Sequence, residues 1–128
     1  FRGYHMKVKE VVEICQGTLL TPDVDLDVDI KGGFSGDLMS DVLASVQAEA
    51  VLITGLCNPQ VVRTALIADI KLIIFGRGKK PGEDIINLAI EENLPIAYSP
   101  LGLYEIAGRL TKAGLPSYEM EMNLFPRD

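Results

Sequence analysis

Two glycine-rich stretches hold most of the residues able to do chemistry. The first is Gly32-Gly33-Phe34-Ser35-Gly36-Asp37. Before it, Val24, Leu26, Val28 and Ile30 alternate with Asp23, Asp25, Asp27, Asp29 and Lys31; after it comes an apolar-periodic segment. The pattern predicts a strand over 24–30, a tight glycine turn, and a helix that Ser35 or Asp37 starts. Such a turn presents backbone N–H groups beside a helix N-terminus, a setting that favours anions. Gly32, Gly33, Ser35, Gly36 and Asp37 are therefore candidate ligand contacts, with Ser40 and Asp41 close by. Asp37 and Asp41 read equally well as charges that favour a helix start. Two carboxylates without further oxygens do not define a cation site.

The second stretch is Gly76-Arg77-Gly78-Lys79-Lys80-Pro81-Gly82. It lies between an apolar strand and a helix, so it falls at the carboxyl rim where open α/β sheets bind ligands. Gly76, Arg77, Gly78, Lys79 and Lys80 form the stronger anion-binding candidate. The competing reading is a solvated turn whose lysines serve solubility. It is no P-loop, because no Gly-x-x-x-x-Gly-Lys-Ser/Thr string occurs. Nor is it a dinucleotide fingerprint, since Lys79, Lys80 and Pro81 follow Gly78.

Thr54-Gly55-Leu56-Cys57-Asn58 and Tyr98-Ser99-Pro100-Leu101 end neighbouring strands at the same rim. Cys57 has no basic residue beside it in sequence to lower its pKa, and Ser99 reads as a helix cap. The single histidine, His5, falls in 1–5, which reads as a remnant ahead of a natural Met6. Without it the chain lacks the commonest general base near neutral pH, and no Ser/His/Asp or Cys/His arrangement can form. The expectation is a protein that is not an enzyme. A catalytic or cluster reading would have to use Cys57, Asp37 and Asp41, an incomplete set. No cofactor is specified.

The 128 residues and 48% apolar content suit one domain with its own core. A net charge of −6 repels a phosphate backbone, so no nucleic-acid partner is expected. No apolar run approaches the ~20 residues that span a bilayer, so no membrane segment is expected. Cys15 and Cys57 form no Cys-x-x-Cys or Cys/His cluster and read as buried thiols of a cytoplasmic protein.

These residues must be positioned by short, regular elements. Val8, Val11, Val12 and Cys15 predict a helix over 7–16, stopped by Gly17. A short strand over 18–20 follows. Apolar strands over 50–54, 71–75 and 96–98 alternate with helices over 58–68, 83–93 and from Ser99-Pro100 to 113. Asn58-Pro59 reads as N-cap and first helical position; Gly114 ends the last helix. Non-alternating strands between helices imply an α/β fold, a single compact three-layer domain with a mostly parallel sheet flanked by helices.

The segment Gly-Gly-Phe-Ser-Gly-Asp-Leu-Met-Ser-Asp-Val-Leu-Ala at 32–44 resembles the characteristic stretch of DRTGG domains. So do Gly76-Arg77-Gly78-x-x-Pro81, Asn93-Leu94-Pro95-Ile96 and Tyr104-Glu105-Ile106-Ala107-Gly108-Arg109-Leu110. The literal Asp-Arg-Thr-Gly-Gly string is replaced by Asp29-Ile30-Lys31-Gly32-Gly33. The similarity divides the chain into a remnant at 1–5, a DRTGG-like domain at 6–114 and a C-terminal tail at 115–128. These domains are similar to the amino-terminal domain of HPr kinase/phosphorylase, and kinase activity is not expected because the kinase's phosphate loop does not occur in these residues. The resemblance implies a regulatory or oligomerisation role alongside CBS pairs, and a homodimer. The expected function is a non-catalytic regulatory domain that senses a small anionic ligand, a nucleotide or phosphorylated metabolite. The alternatives are a purely structural protein–protein interaction module, using the alternating Asp-rich strand and the tail residues Met120, Met122, Leu124 and Phe125, and an iron–sulfur accessory protein associated with hydrogenases.

Overall fold

Asn58 begins a helix where the sequence says it should. Its side-chain oxygen accepts the Val61 N–H at 3.3 Å, and Pro59 occupies the first helical position. The computed structural model describes residues 6–120. Its elements are β1 (Met6–Lys7), α1 (Val8–Ile14), β2 (Thr18–Leu19), β3 (Asp29–Ile30), β4 (Gly32–Ser35) and α2 (Met39–Ser45). They continue with β5 (Ala50–Thr54), α3 (Pro59–Ile67), β6 (Leu72–Phe75), α4 (Glu83–Glu91), β7 (Ile96–Tyr98) and α5 (Leu103–Lys112).

The main sheet has five strands in the order β2-β7-β6-β5-β4. β4 to β7 run parallel, and β2 closes the far edge antiparallel to β7. Successive side chains of the central strands feed opposite cores, which explains their unbroken apolar sequence. Leu52, Ile73, Phe75 and Ile96 pack with α2, α3 and α4 on one face. Val51, Ile53, Leu72, Ile74 and Ala97 pack with α1 and α5 on the other. The result is the three-layer, mostly parallel α/β architecture that the pattern implied.

Four local expectations change. The alternating run at 24–30 pairs as a strand only at Asp29–Ile30, where it meets β1. Upstream, Asp25 accepts the Asp27 N–H, and the Leu26 and Val28 carbonyls accept the N–H groups of Lys9 and Val8 at the start of α1. The segment therefore serves as a cap for a helix instead of extending the sheet.

The second change concerns Gly32-Gly33, which form strand and not turn. Gly32 to Ser35 pair in parallel register with Ala50 to Ile53. The reason for glycine is steric: a Cβ at Gly32 would overlap the ring of Tyr118. Third, the following helix starts at Met39, and neither Ser35 nor Asp37 caps it.

The fourth change is at Ser99. α5 starts after Gly102, and the Ser99 hydroxyl instead donates to the Cys15 carbonyl at 2.6 Å and accepts the Leu101 N–H at 3.1 Å.

Residues 115–120 lie along the β4 edge of this same sheet. Gly33 donates to the Pro116 carbonyl, Tyr118 to the Gly33 carbonyl, Gln47 to the Tyr118 carbonyl and Met120 to the Ser45 carbonyl. Leu115 is buried. This strap covers part of an edge that would otherwise offer unpaired backbone. Met122, Leu124, Phe125 and the segment 1–5 lie outside the described residues.

Candidate functional site

The parallel strands deliver their carboxyl ends to one rim, where Asp37, Thr54, Gly55 and Arg77 meet. Asp37 follows β4. Its Oδ1 accepts the Thr54 hydroxyl at 2.9 Å and the Gly55 N–H at 2.8 Å, both at the end of β5. Thr54 is buried, and its oxygen also accepts the Leu56 N–H at 3.2 Å. The Gly55 N–H holds the Asp37 carboxyl below the usual carboxylate range; partial burial opposes this, and the Thr54 hydroxyl and the charges of Arg77 and Lys79 reinforce it. Asp37 is thus an ionised acceptor on the rim.

Arg77 arrives from the end of β6. Its backbone has φ 62° and is followed by Gly78 at φ 69°. A left-handed conformation at a non-glycine residue stores strain, and two short hydrogen bonds hold it: Arg77 donates to the Leu101 carbonyl and Gly78 to the Ser99 carbonyl, each at 2.7 Å. This turn sends the Arg77 side chain back across the end of β5. A Cβ on Gly55 would lie 2.9 Å from Arg77 Nη1 and 3.7 Å from Asp37 Oδ2. Gly55 is buried, while Arg77 and Asp37 are exposed. The absence of a side chain at 55 therefore leaves a space that the Arg77 guanidinium reaches into, with the Asp37 carboxylate at its border and no ion pair closed between them.

The loop is not a backbone cradle. The N–H groups of Arg77, Gly78 and Lys79 all donate to protein carbonyls, Lys79 to that of Gly76 at 3.3 Å. Glu83 and Asp84 fill the first turn of α4, so the protein's own carboxylates meet its partial positive charge. What the loop offers is its side chains. Lys7, Lys9, Lys31, Lys71 and Arg109 each pair with a carboxylate. Arg77, Lys79 and Lys80 form no ion pair with any described residue, and all three are exposed.

Among the sequence candidates, Asp37 and Arg77 both approach Gly55, and the charge of Lys79 reaches Asp37. Lys79 also acts on the Cys57 thiol, which burial nevertheless pushes up. Ser35 and Gly36 end β4 just before Asp37, and the Gly36 N–H donates to the Ile53 carbonyl. Gly76 joins β6 to the loop and donates to the Thr54 carbonyl; Lys80 is exposed beyond Lys79. Gly32 and Gly33 lie in the body of β4, under Tyr118 and bonded to Pro116 and Tyr118. Thr54 and Gly55 were legible as rim residues but not as partners of Asp37, because nothing local in sequence links them. Burial pushes the Cys15 thiol up to about 12, with Arg109 opposing weakly. Among the described residues no cluster of His, Cys, Asp or Glu could hold a metal ion, and no helix is long and apolar enough to cross a membrane.

No protein-family model matches the chain, and no curated protein is a significant match to it. Among solved structures it is similar to the CBS and DRTGG domains of the regulatory region of Clostridium perfringens pyrophosphatase, complexed with its activator diadenosine tetraphosphate. The TM-score is 0.67 at 16% identity, over 93% of this chain and 52% of that one. The chain therefore spans about half the length of that neighbour. What the two share is a fold, an α/β domain of the CBS/DRTGG type.

Proposed function

We propose that this chain is a non-catalytic regulatory domain that senses a small anionic ligand, a nucleotide or other phosphorylated metabolite, at the rim formed by Asp37, Arg77, Lys79 and Lys80. The observation that carries this reading is the exposed cationic group at 77–80, which pairs with no described carboxylate, in a chain of net charge −6. Arg77 in particular is held over Gly55 by a strained, hydrogen-bonded turn. Strain of this kind collects at functional sites. The neighbouring fold supports the reading at a distance, since that regulatory region is complexed with a nucleotide activator. The finer kinship, with the amino-terminal domain of HPr kinase/phosphorylase, rests on the motifs at 32–44 and 104–110. The test is a thermal-shift screen of nucleotides, sugar phosphates and acyl phosphates. A saturable rise that is lost in the Lys79→Ala/Lys80→Ala variant supports it; a flat screen removes the ligand.

The second reading is an interaction module, alone or as a homodimer. It is favoured by apolar side chains left exposed along the helices on one face: Leu43 on α2, Leu66 and Ile67 on α3, and Ile90 on α4. Ile67 is 73% exposed. Where such side chains adjoin, they form the kind of patch that marks a protein contact. Sedimentation of the wild type and of Ile67→Glu tests it: a dimer that the variant dissociates supports self-association, and a monomer at high concentration argues against it.

A further inference from the structure

We infer that the rim takes a ligand carrying a hydroxyl beside its phosphate, a sugar phosphate or nucleotide, with the hydroxyl donated to Asp37 Oδ2 and the phosphate held by Arg77, Lys79 and Lys80. This deepens the anion-sensor reading and rests on it. The two oxygens of Asp37 are not equivalent. Oδ1 is engaged by the Thr54 hydroxyl and the Gly55 N–H. Oδ2 borders the same space over Gly55 that Arg77 Nη1 reaches into, the two close no ion pair, and no described residue donates to Oδ2.

An ionised carboxylate accepts hydrogen bonds and cannot donate them. A bare phosphate drawn to Arg77 therefore meets a fixed negative charge next to its own. A molecule whose hydroxyl points at Oδ2 turns that repulsion into a hydrogen bond to a charged acceptor. Its phosphate is then turned toward the cationic side chains of the 77–80 loop. The Oδ1 bonds hold the carboxylate in place before any ligand arrives, so little side-chain freedom is lost on binding. A guanidinium and a carboxylate that border one space without pairing thus select a ligand that carries both functions on one small frame.

The test is calorimetric titration of the whole chain and of Asp37→Asn with AMP, 2′,3′-dideoxy-AMP, ribose 5-phosphate and inorganic phosphate. In the unaltered chain AMP or ribose 5-phosphate should bind about tenfold more tightly than phosphate, the contribution of one charge-assisted hydrogen bond. AMP without ribose 5-phosphate identifies a nucleotide; both together identify the sugar phosphate they share. Dideoxy-AMP should lose the advantage over phosphate, and Asp37→Asn should bring the probes level. Equal binding of all four probes overturns the hydroxyl contact and leaves the anion site standing. A preference that survives Asp37→Asn overturns the role of Asp37. No binding by any probe removes the anion-sensor reading and this inference with it. Should Asp37→Asn fail to fold, the ratio of AMP to dideoxy-AMP in the unaltered chain decides the matter.

Discussion

The Asp37 carboxylate accepts the Gly55 N–H at 2.8 Å, tying the end of β4 to the end of the adjacent strand β5. The bond places a negative charge at the rim and fixes its direction. Asp37→Ala removes this acceptor from the Gly55 N–H and the Thr54 hydroxyl. The expected loss in urea denaturation is about 1–2 kcal/mol, since hydrogen bonds to a charged group are strong but these are only part-buried.

The same bond sets a pH dependence. The folded-state pKa of Asp37 is depressed below its ordinary 3.8. Its contribution is therefore fully present above the unfolded value and is lost as the pH falls through the folded one. The stability gap between wild type and Asp37→Ala should hold from neutral pH down to about pH 4 and close below it. A gap that does not change between pH 6 and pH 2 would show that the charge of Asp37 contributes nothing to folding.

Gly55→Ala separates binding from stability. The added methyl would lie 2.9 Å from Nη1, at the far end of a flexible, exposed side chain that can move aside. Stability should change by less than about 1 kcal/mol, while the affinity for a phosphorylated ligand falls because Arg77 is displaced. Parallel thermal melts and titrations check the two effects.

Gly32→Ala should instead destabilise by about 1–3 kcal/mol, because its Cβ meets the near end of the Tyr118 side chain. Adding Tyr118→Ala should recover part of that loss, giving a coupling energy in a double-mutant cycle. Simple additivity would mean that the strap at 115–120 does not press on β4 in solution.

How much of this could be read from sequence depends on how local each signal is. The apolar runs at 50–54 and 96–98, and the Asn58-Pro59 cap, carry their own physics and were legible. Gly32-Gly33 misled because glycines suggest turns, whereas their partner Tyr118 lies at the other end of the chain. Ser99-Pro100 looked like a cap because the Cys15 carbonyl that takes its hydroxyl is equally remote. Asp37 was legible as a candidate, but its local reading as a helix charge hid its bonds to Thr54 and Gly55. Fold class emerged from periodicity; the site needed contacts between strand ends, which periodicity does not encode.

The most direct measurement of the central claim is a thermal melt with AMP and ribose 5-phosphate, for the wild type and for the Arg77→Ala/Lys79→Ala variant. A ligand at a hundred times its dissociation constant should stabilise the wild type by about 2.7 kcal/mol, a rise of about 10 °C. The variant should melt near the unliganded wild type and show no rise. A wild type that melts at the same temperature with and without these ligands, or a variant that responds as fully as the wild type, would contradict a phosphate site at Arg77 and Lys79.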